Sequence, residues 1–175
     1  MKKALVVVDY QNDFVSGALG FPGAANLEKS IEKKIIDGLA AGDDLLFTFD
    51  THDTDYLATQ EGRKLPVPHC EKGTEGWDLY GAIAAYRHKA TWCFEKCTFG
   101  SLELAEYLKV EGYDVVELVG LVSNICVISN AILAKAALPE AEIFVDAACT
   151  ASADEEMHEK ALDVLQGVHV TVINR

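Results

Sequence analysis

The sequence predicts an α/β fold, a three-layer α/β/α sandwich around a mostly parallel, six-stranded sheet. Two observations predict it. Apolar, β-branched runs without polar alternation recur along the chain, and amphipathic segments of helical period separate them. A strand buried on both faces reads as a continuous apolar run, and helices supply the crossovers that return parallel strands. A third observation is the lack of any internal repeat, low-complexity tract or linker, which makes residues 1–175 a single domain.

Taken in order, Ala4–Val8 is the first strand. Leu27, Ile31, Ile35 and Leu39 recur every four residues and predict the first crossover helix. Leu45–Phe49 is the second strand and Ala90–Phe94 the third. Between those two, Thr51–Trp77 carries two prolines and three glycines with no period. A long aperiodic connection inside a compact domain is usually functional, so residues of about 51–80 are read as a site loop. Ser101 as N-cap and Gly112 as stop bracket a helix with Leu102, Ala105 and Leu108 on one face. Val115–Leu121 and Glu142–Val145 are the next strands, and His169–Ile173 is the last. Ser152 with Glu155 three residues later reads as a capping box opening a final helix that ends at Gly167.

The chain has 28 acidic against 15 basic residues, a formal charge of −13. Phosphate binding needs a basic stripe, and none is present, so nucleic acid is excluded as a partner. The N-terminal apolar run stops after five residues at Asp9, too short for a secretory signal. No stretch approaches the ~18 apolar residues of a membrane span. Five cysteines at irregular spacing (70, 93, 97, 126, 149) fit neither a disulfide framework nor a paired zinc motif. A reducing cytoplasm is the expected compartment.

In an open parallel sheet, ligands bind at the carboxyl ends of the strands. The first strand ends at Asp9, the second at Asp50 with His52 following, and the third at Glu95–Lys96. The fourth leads through "GLVSNIC" to Cys126. A helix capped by Ser123 would put Cys126 in its first turn, where the helix dipole and Lys96 would favour thiolate. Asp9 could then accept the thiol proton, and nearby N–H groups could hold an oxyanion. The competing reading is an inert core cysteine. Asp50, His52 and His69, with Glu61 as a further acid, suit one divalent ion with open positions: zinc, or else iron or manganese. Cys70 ranks below Glu61 as a ligand. His88, His158 and His169 read as surface or core, and Cys97 as structural.

With Asp9, Lys96 and Cys126 assembled, the chain resembles the isochorismatase-like cysteine hydrolases, the superfamily that contains the nicotinamidases. "VVVDYQNDF" is similar to the family's D-x-Q-x-D-F start, "FEKCTFGSL" to its K-x-x-x-x-S segment, and "GLVSNICV" to its nucleophile segment. The resemblance covers nearly the whole chain. It implies a triad of Asp9, Lys96 and Cys126, a cis peptide at Leu121–Val122, and an oxyanion hole from the Val122 and Cys126 N–H groups. Asp50, His52 and His69, followed by "GTEGW", are similar to the metal pattern of the nicotinamidase branch. Phe14 and Phe99 fall where the family's aromatic residues flank a substrate ring, with core packing as the other reading.

The resemblance thus implies a metal-assisted amidase, a nicotinamidase working through a thioester on a small-molecule amide, and a homo-oligomer by family analogy. Two alternatives stay open. One is a related cysteine amidase acting on a carbamoyl, ureido or other small amide. The other is a non-catalytic binding or scaffold protein on the same fold.

Overall fold

The computed structural model describes residues 1–175. One sheet of six strands, all parallel, runs in the order β3-β2-β1-β4-β5-β6. The strands are β1 (Lys3–Val8), β2 (Asp44–Asp50), β3 (Trp92–Lys96), β4 (Val115–Leu121), β5 (Glu142–Ala151) and β6 (Thr171–Ile173). The helices are α1 (Asn12–Val15), α2 (Glu28–Ala41), α3 (Gln60–Lys64), α4 (Leu102–Glu111), α5 (Ile128–Ala137) and α6 (Glu155–Gly167). No helix is long and apolar enough to cross a membrane.

Side chains alternate across a strand, so β1 feeds two cores. Val6 and Val8 pack with Leu104 and Leu108 of α4, Ala131 and Ala134 of α5, and Leu162 and Leu165 of α6. Leu5 and Val7 pack on the other side with Ile31 and Ile35 of α2, with Trp77 of the site loop and with Ile83 just after it. The chain therefore covers both faces, which is why the strands carry no polar alternation.

β1 has β2 on one side and β4 on the other, so the order of connection reverses between β1 and β4. A crevice opens at the carboxyl ends of strands at such a switch point. Gly120 makes this seam tight: it lies at φ +110°, and a Cβ there would stand 2.1 Å from the Val8 carbonyl oxygen. Glycine alone tolerates both conditions.

Several predicted boundaries shift. Lys96 is the last residue of β3, because the strand runs two residues later than the apolar run suggests. β5 continues to Ala151 through an irregularity: Leu118 pairs with Val145, whereas Gly120 pairs with Thr150. The intervening Asp-Ala-Ala-Cys has little strand character, so its resumption was invisible in the pattern. Ser101 and Gly112 bracket α4 as expected: Ser101 Oγ accepts from the Leu104 N–H at 3.1 Å, and Gly112 takes φ +66°. The cap of α6 is Asp154 rather than Ser152. Asp154 Oδ1 accepts from the Met157 N–H at 3.0 Å, while Ser152 Oγ accepts from the Asp154 N–H at 3.1 Å. Ser152 lies too early to reach the helix and orders the turn before it.

Candidate active site and metal centre

The polar cluster that ends β1 divides its work. Asp9 is fully buried, at φ +45°. Its Oδ2 stands 2.6 Å from Lys96 Nζ, and its Oδ1 accepts from Thr48 Oγ1 at 2.6 Å. Gln11, Asn12 and Asp13 instead fasten the site loop. Gln11 Nε2 donates to the Asp50 and Trp77 carbonyls at 2.9 and 2.8 Å, and its Oε1 accepts from the Asp50 N–H at 2.8 Å. Asn12 Nδ2 donates to the Glu75 carbonyl at 2.7 Å, and Asp13 Oδ2 accepts from the Cys70 N–H at 2.7 Å. A segment with no period is thus held by side chains from the far end of β1.

Lys96 is the hub. Besides Asp9, its Nζ meets Cys126 Sγ at 3.7 Å, the Thr98 carbonyl at 2.9 Å and Asp50 Oδ1 at 3.6 Å. Burial works against the ammonium, but the charges of Asp9, Cys126 and Asp50 outweigh it and raise the Lys96 pKa. Burial pushes the Asp9 pKa above the usual carboxylate value, with Lys96 opposing. Burial also pushes the Cys126 thiol well up, against the pull of Lys96. Lys96 acts on the sulfur in the expected direction, lowering its pKa, and burial opposes it. Burial thus favours the thiol and Lys96 favours the thiolate, with the Asp9 carboxyl in the same buried cluster.

The expected cap at Ser123 is corrected. Ser123–Val127 forms a π-type turn in which the Val127 N–H reaches the Val122 carbonyl at 3.2 Å. The Ser123 hydroxyl lies 2.8 Å from His158 Nδ1 on α6 and makes no cap. Cys126 sits within that turn, buried, and the peptide before Val122 is cis, as the resemblance implied.

Beside this trio, Asp50, His52 and His69 bring their ligand atoms within 4.8 Å of one another, all three buried. Asp50 Oδ2 lies 3.1 Å from His52 Nε2 and 3.2 Å from His69 Nε2. Glu61 Oε1, from α3, stands 3.7 and 3.8 Å from the same two nitrogens. His69 Nδ1 donates to the Val67 carbonyl at 2.8 Å, which leaves the Nε2 lone pair facing the cluster. Two imidazoles and a carboxylate, oriented this way, fit a divalent ion. Cys70 points elsewhere: it is buried in the α2-side core.

The Phe14 ring packs edge-on to His69 at 5.6 Å and is nearly buried. Phe99 is 45% exposed and lines a cleft of about 380 Å³ together with His52 and Glu61. Tyr56, Asp53 and Asp55 belong to the same lining, whereas Asp9, Lys96, Cys126, Asp50 and His69 do not. Cys97 is exposed in the same cleft. His88 and His169 are exposed and remote from it, whereas His158 is buried.

Sequence reasoning missed Thr48, Asn130 and His158. Thr48 carried a usable signal, since it is the one hydroxyl inside the apolar run of β2. Asn130 and His158 carried none: each lies in a helix and reaches across to a segment brought near only by folding.

A carboxylate, an ammonium and a thiol at the switch point of a doubly wound sheet, next to an Asp–His–His set that could hold a metal ion, define a cysteine-centred α/β hydrolase architecture. The isochorismatase domain family matches residues 3–175, and the chain belongs to that family. It is similar to the pyrazinamidase/nicotinamidase of Streptococcus mutans, 32% identical, with a TM-score of 0.88 over 98% of this chain and 100% of that one. The nicotinamidase/pyrazinamidase of Mycobacterium tuberculosis is 29% identical over 93% of this chain and 98% of its own. The N-carbamoylsarcosine amidase structure from Thermoplasma acidophilum is 26% identical, with a TM-score of 0.78 over 98% of this chain and 95% of that one.

Proposed function

We propose that residues 1–175 work as one domain, a metal-assisted cysteine amidase that hydrolyses a small neutral ring amide, nicotinamide foremost, to the acid and ammonia. The observation that carries this reading is Lys96 Nζ within reach of both Asp9 Oδ2 and Cys126 Sγ, at 2.6 and 3.7 Å. Asp9 takes the proton from Cys126 as sulfur attacks the carboxamide carbon. The Val122 and Cys126 N–H groups hold the oxyanion. As the C–N bond breaks, Asp9 returns the proton to the departing ammonia, leaving a thioester. Asp9 then takes a proton from water as its oxygen attacks the thioester, and the sulfur leaves with that proton. Lys96 keeps a positive charge beside the reacting sulfur throughout. Phe14 and Phe99 flank the ring.

Asp50, His52 and His69, with Glu61, would hold one divalent ion, zinc in this reading, with iron or manganese also compatible with an imidazole–carboxylate set. Such an ion supplies a Lewis-acid anchor for a ring nitrogen. A homo-oligomer in a cytoplasmic setting belongs to the same reading.

The second reading, a carbamoyl amidase, draws support from the Thermoplasma acidophilum structure. Ammonia release from nicotinamide, pyrazinamide, N-carbamoyl amino acids and non-aromatic amides, measured side by side, is the test. Fast turnover of the two ring amides is expected. Inert ring amides with a reactive carbamoyl compound would replace this reading with the second.

A further inference from the structure

Asn130 lies in the second turn of the nucleophile's helical segment, buried to 1% exposure. Its Nδ2 donates to the Cys126 carbonyl at 2.8 Å and to the Phe99 carbonyl at 3.1 Å. Its Oδ1 accepts from the Ser101 N–H at 2.9 Å. A flipped amide would set its oxygen against two carbonyls and its NH₂ against an N–H, so the three partners fix the orientation. One side chain thus ties the turn that carries Cys126 to the segment that carries Lys96, Thr98 and Phe99. The packing agrees: a Cβ at Gly100 would stand 2.7 Å from Leu133 Cδ1, so this segment lies flat on α5.

We propose that Asn130 is a positioning residue that locks the ring-binding side of the cleft, through Phe99 and Ser101, to the nucleophile Cys126. This deepens the amidase reading and rests on it. The site must hold a ring on one segment and attack its carboxamide from another, and a displacement of about 1 Å between them costs roughly 10²-fold in rate.

The helix offers a selective cut. Ser129 Oγ already donates to the carbonyl four residues back, Ile125, at 2.6 Å. A serine at 130 can bond the Cys126 carbonyl in the same way while losing Phe99 and Ser101. Asn130→Ser therefore breaks the coupling but spares the nucleophile, and Asn130→Ala breaks both. The readouts are kcat and KM on nicotinamide, and the rate at which iodoacetamide, a ring-free amide-sized reagent, alkylates Cys126, followed by mass mapping of its peptide. Folding of each variant is checked by its melting curve.

For Asn130→Ser, kcat/KM on nicotinamide should fall about 10²-fold with a raised KM, while Cys126 alkylates near the parental rate. For Asn130→Ala, alkylation should slow as well. Parental nicotinamide kinetics in Asn130→Ser, or an equal loss of turnover and alkylation, would overturn the proposal. A parent that leaves nicotinamide intact would sink the amidase reading instead. In that event, identical alkylation rates in all three proteins would still overturn the role of Asn130.

Discussion

Lys96 Nζ reaches Asp9 Oδ2 at 2.6 Å although the two residues end strands that lie two places apart, with β2 between them. The long lysine stem crosses the end of β2, and there its ammonium passes 3.6 Å from Asp50 Oδ1. One cation therefore touches the buried Asp9 carboxyl, the Cys126 sulfur and a residue of the Asp50–His52–His69 cluster. Charge changes in one group reach the others through it, and burial removes the water that would screen them.

Thr48 should tune this centre. Its hydroxyl donates to Asp9 Oδ1 at 2.6 Å and stabilises the carboxylate, so it lowers the Asp9 pKa against the raising effect of burial. In Thr48→Val that support is lost and the Asp9 pKa rises further. Activity that needs an unprotonated Asp9 is lost as pH falls through that pKa, so the acid limb of kcat/KM should move to higher pH. A hydrogen bond to a charge is worth about 1.5–3 kcal/mol, so turnover near the limb should drop about tenfold or more. An unmoved acid limb in a folded Thr48→Val protein would rule out this role.

The metal set predicts a graded series. Asp50→Asn, His52→Ala and His69→Ala each remove a ligand atom from the 4.8 Å cluster and should abolish stoichiometric zinc in elemental analysis. Glu61 stands farther out, 3.7 and 3.8 Å from the two imidazoles, so Glu61→Gln should retain metal with affinity reduced about 10–100-fold. Zinc added to chelator-treated parent should raise the melting temperature, by about 2.7 kcal/mol of stability at a hundred times Kd. Full activity in metal-free protein would remove the ion from the mechanism.

His158 and Ser123 should behave as a coupled pair. Their 2.8 Å contact joins α6 to the turn that carries Cys126, and both side chains are buried. His158→Leu leaves the hydroxyl without its partner, at a cost of about 1–3 kcal/mol, and should lower kcat more than it raises KM. Ser123→Ala in the same protein should then cost less than it does alone. A double-mutant cycle by urea unfolding should give a coupling of at least ~0.5 kcal/mol. Strict additivity would dissolve the pair.

What the sequence disclosed follows from what is local. β1, β2 and β4 were legible because burial on both faces leaves a continuous apolar run. Asp9, Lys96 and Cys126 were legible because each follows or closes such a run. β5 beyond Val145 was not, because the bulged residues Asp146–Cys149 break the pattern that its later pairing at Thr150 and Ala151 restores. The strength of desolvation at Cys126 was not legible for a related reason: helix position and a neighbouring lysine can be counted along the chain, whereas depth of burial cannot. Asn130 and Gln11 illustrate the same divide. Their types were visible, but the partners of Gln11 and two of the three partners of Asn130 lie about 30 to 66 positions away.

The last prediction concerns stability away from the site. Lys34 of α2 donates to Glu117 on β4 at 2.6 Å and pairs with Asp146 on β5 at 2.7 Å. Asp146 is buried and also accepts from Asn174 Nδ2 at 2.8 Å and the Ala148 N–H at 2.9 Å. Burial disfavours the Lys34 ammonium, but the hydrogen bonds to Asp146 and Glu117 and their charges outweigh it and raise its pKa above 10.5. A folded-state pKa above the unfolded one contributes stability that is fully present below the unfolded value and is lost as pH rises through the folded value. Lys34→Met leaves Asp146 without its cation and should cost about 2 kcal/mol in urea unfolding at neutral pH. That deficit should hold steady from pH 7 to about pH 10, below the ordinary lysine pKa, and shrink only at higher pH, as the parent loses the same charge. A deficit that vanished already near pH 8 would mean that the ammonium is not what holds α2 against β4 and β5.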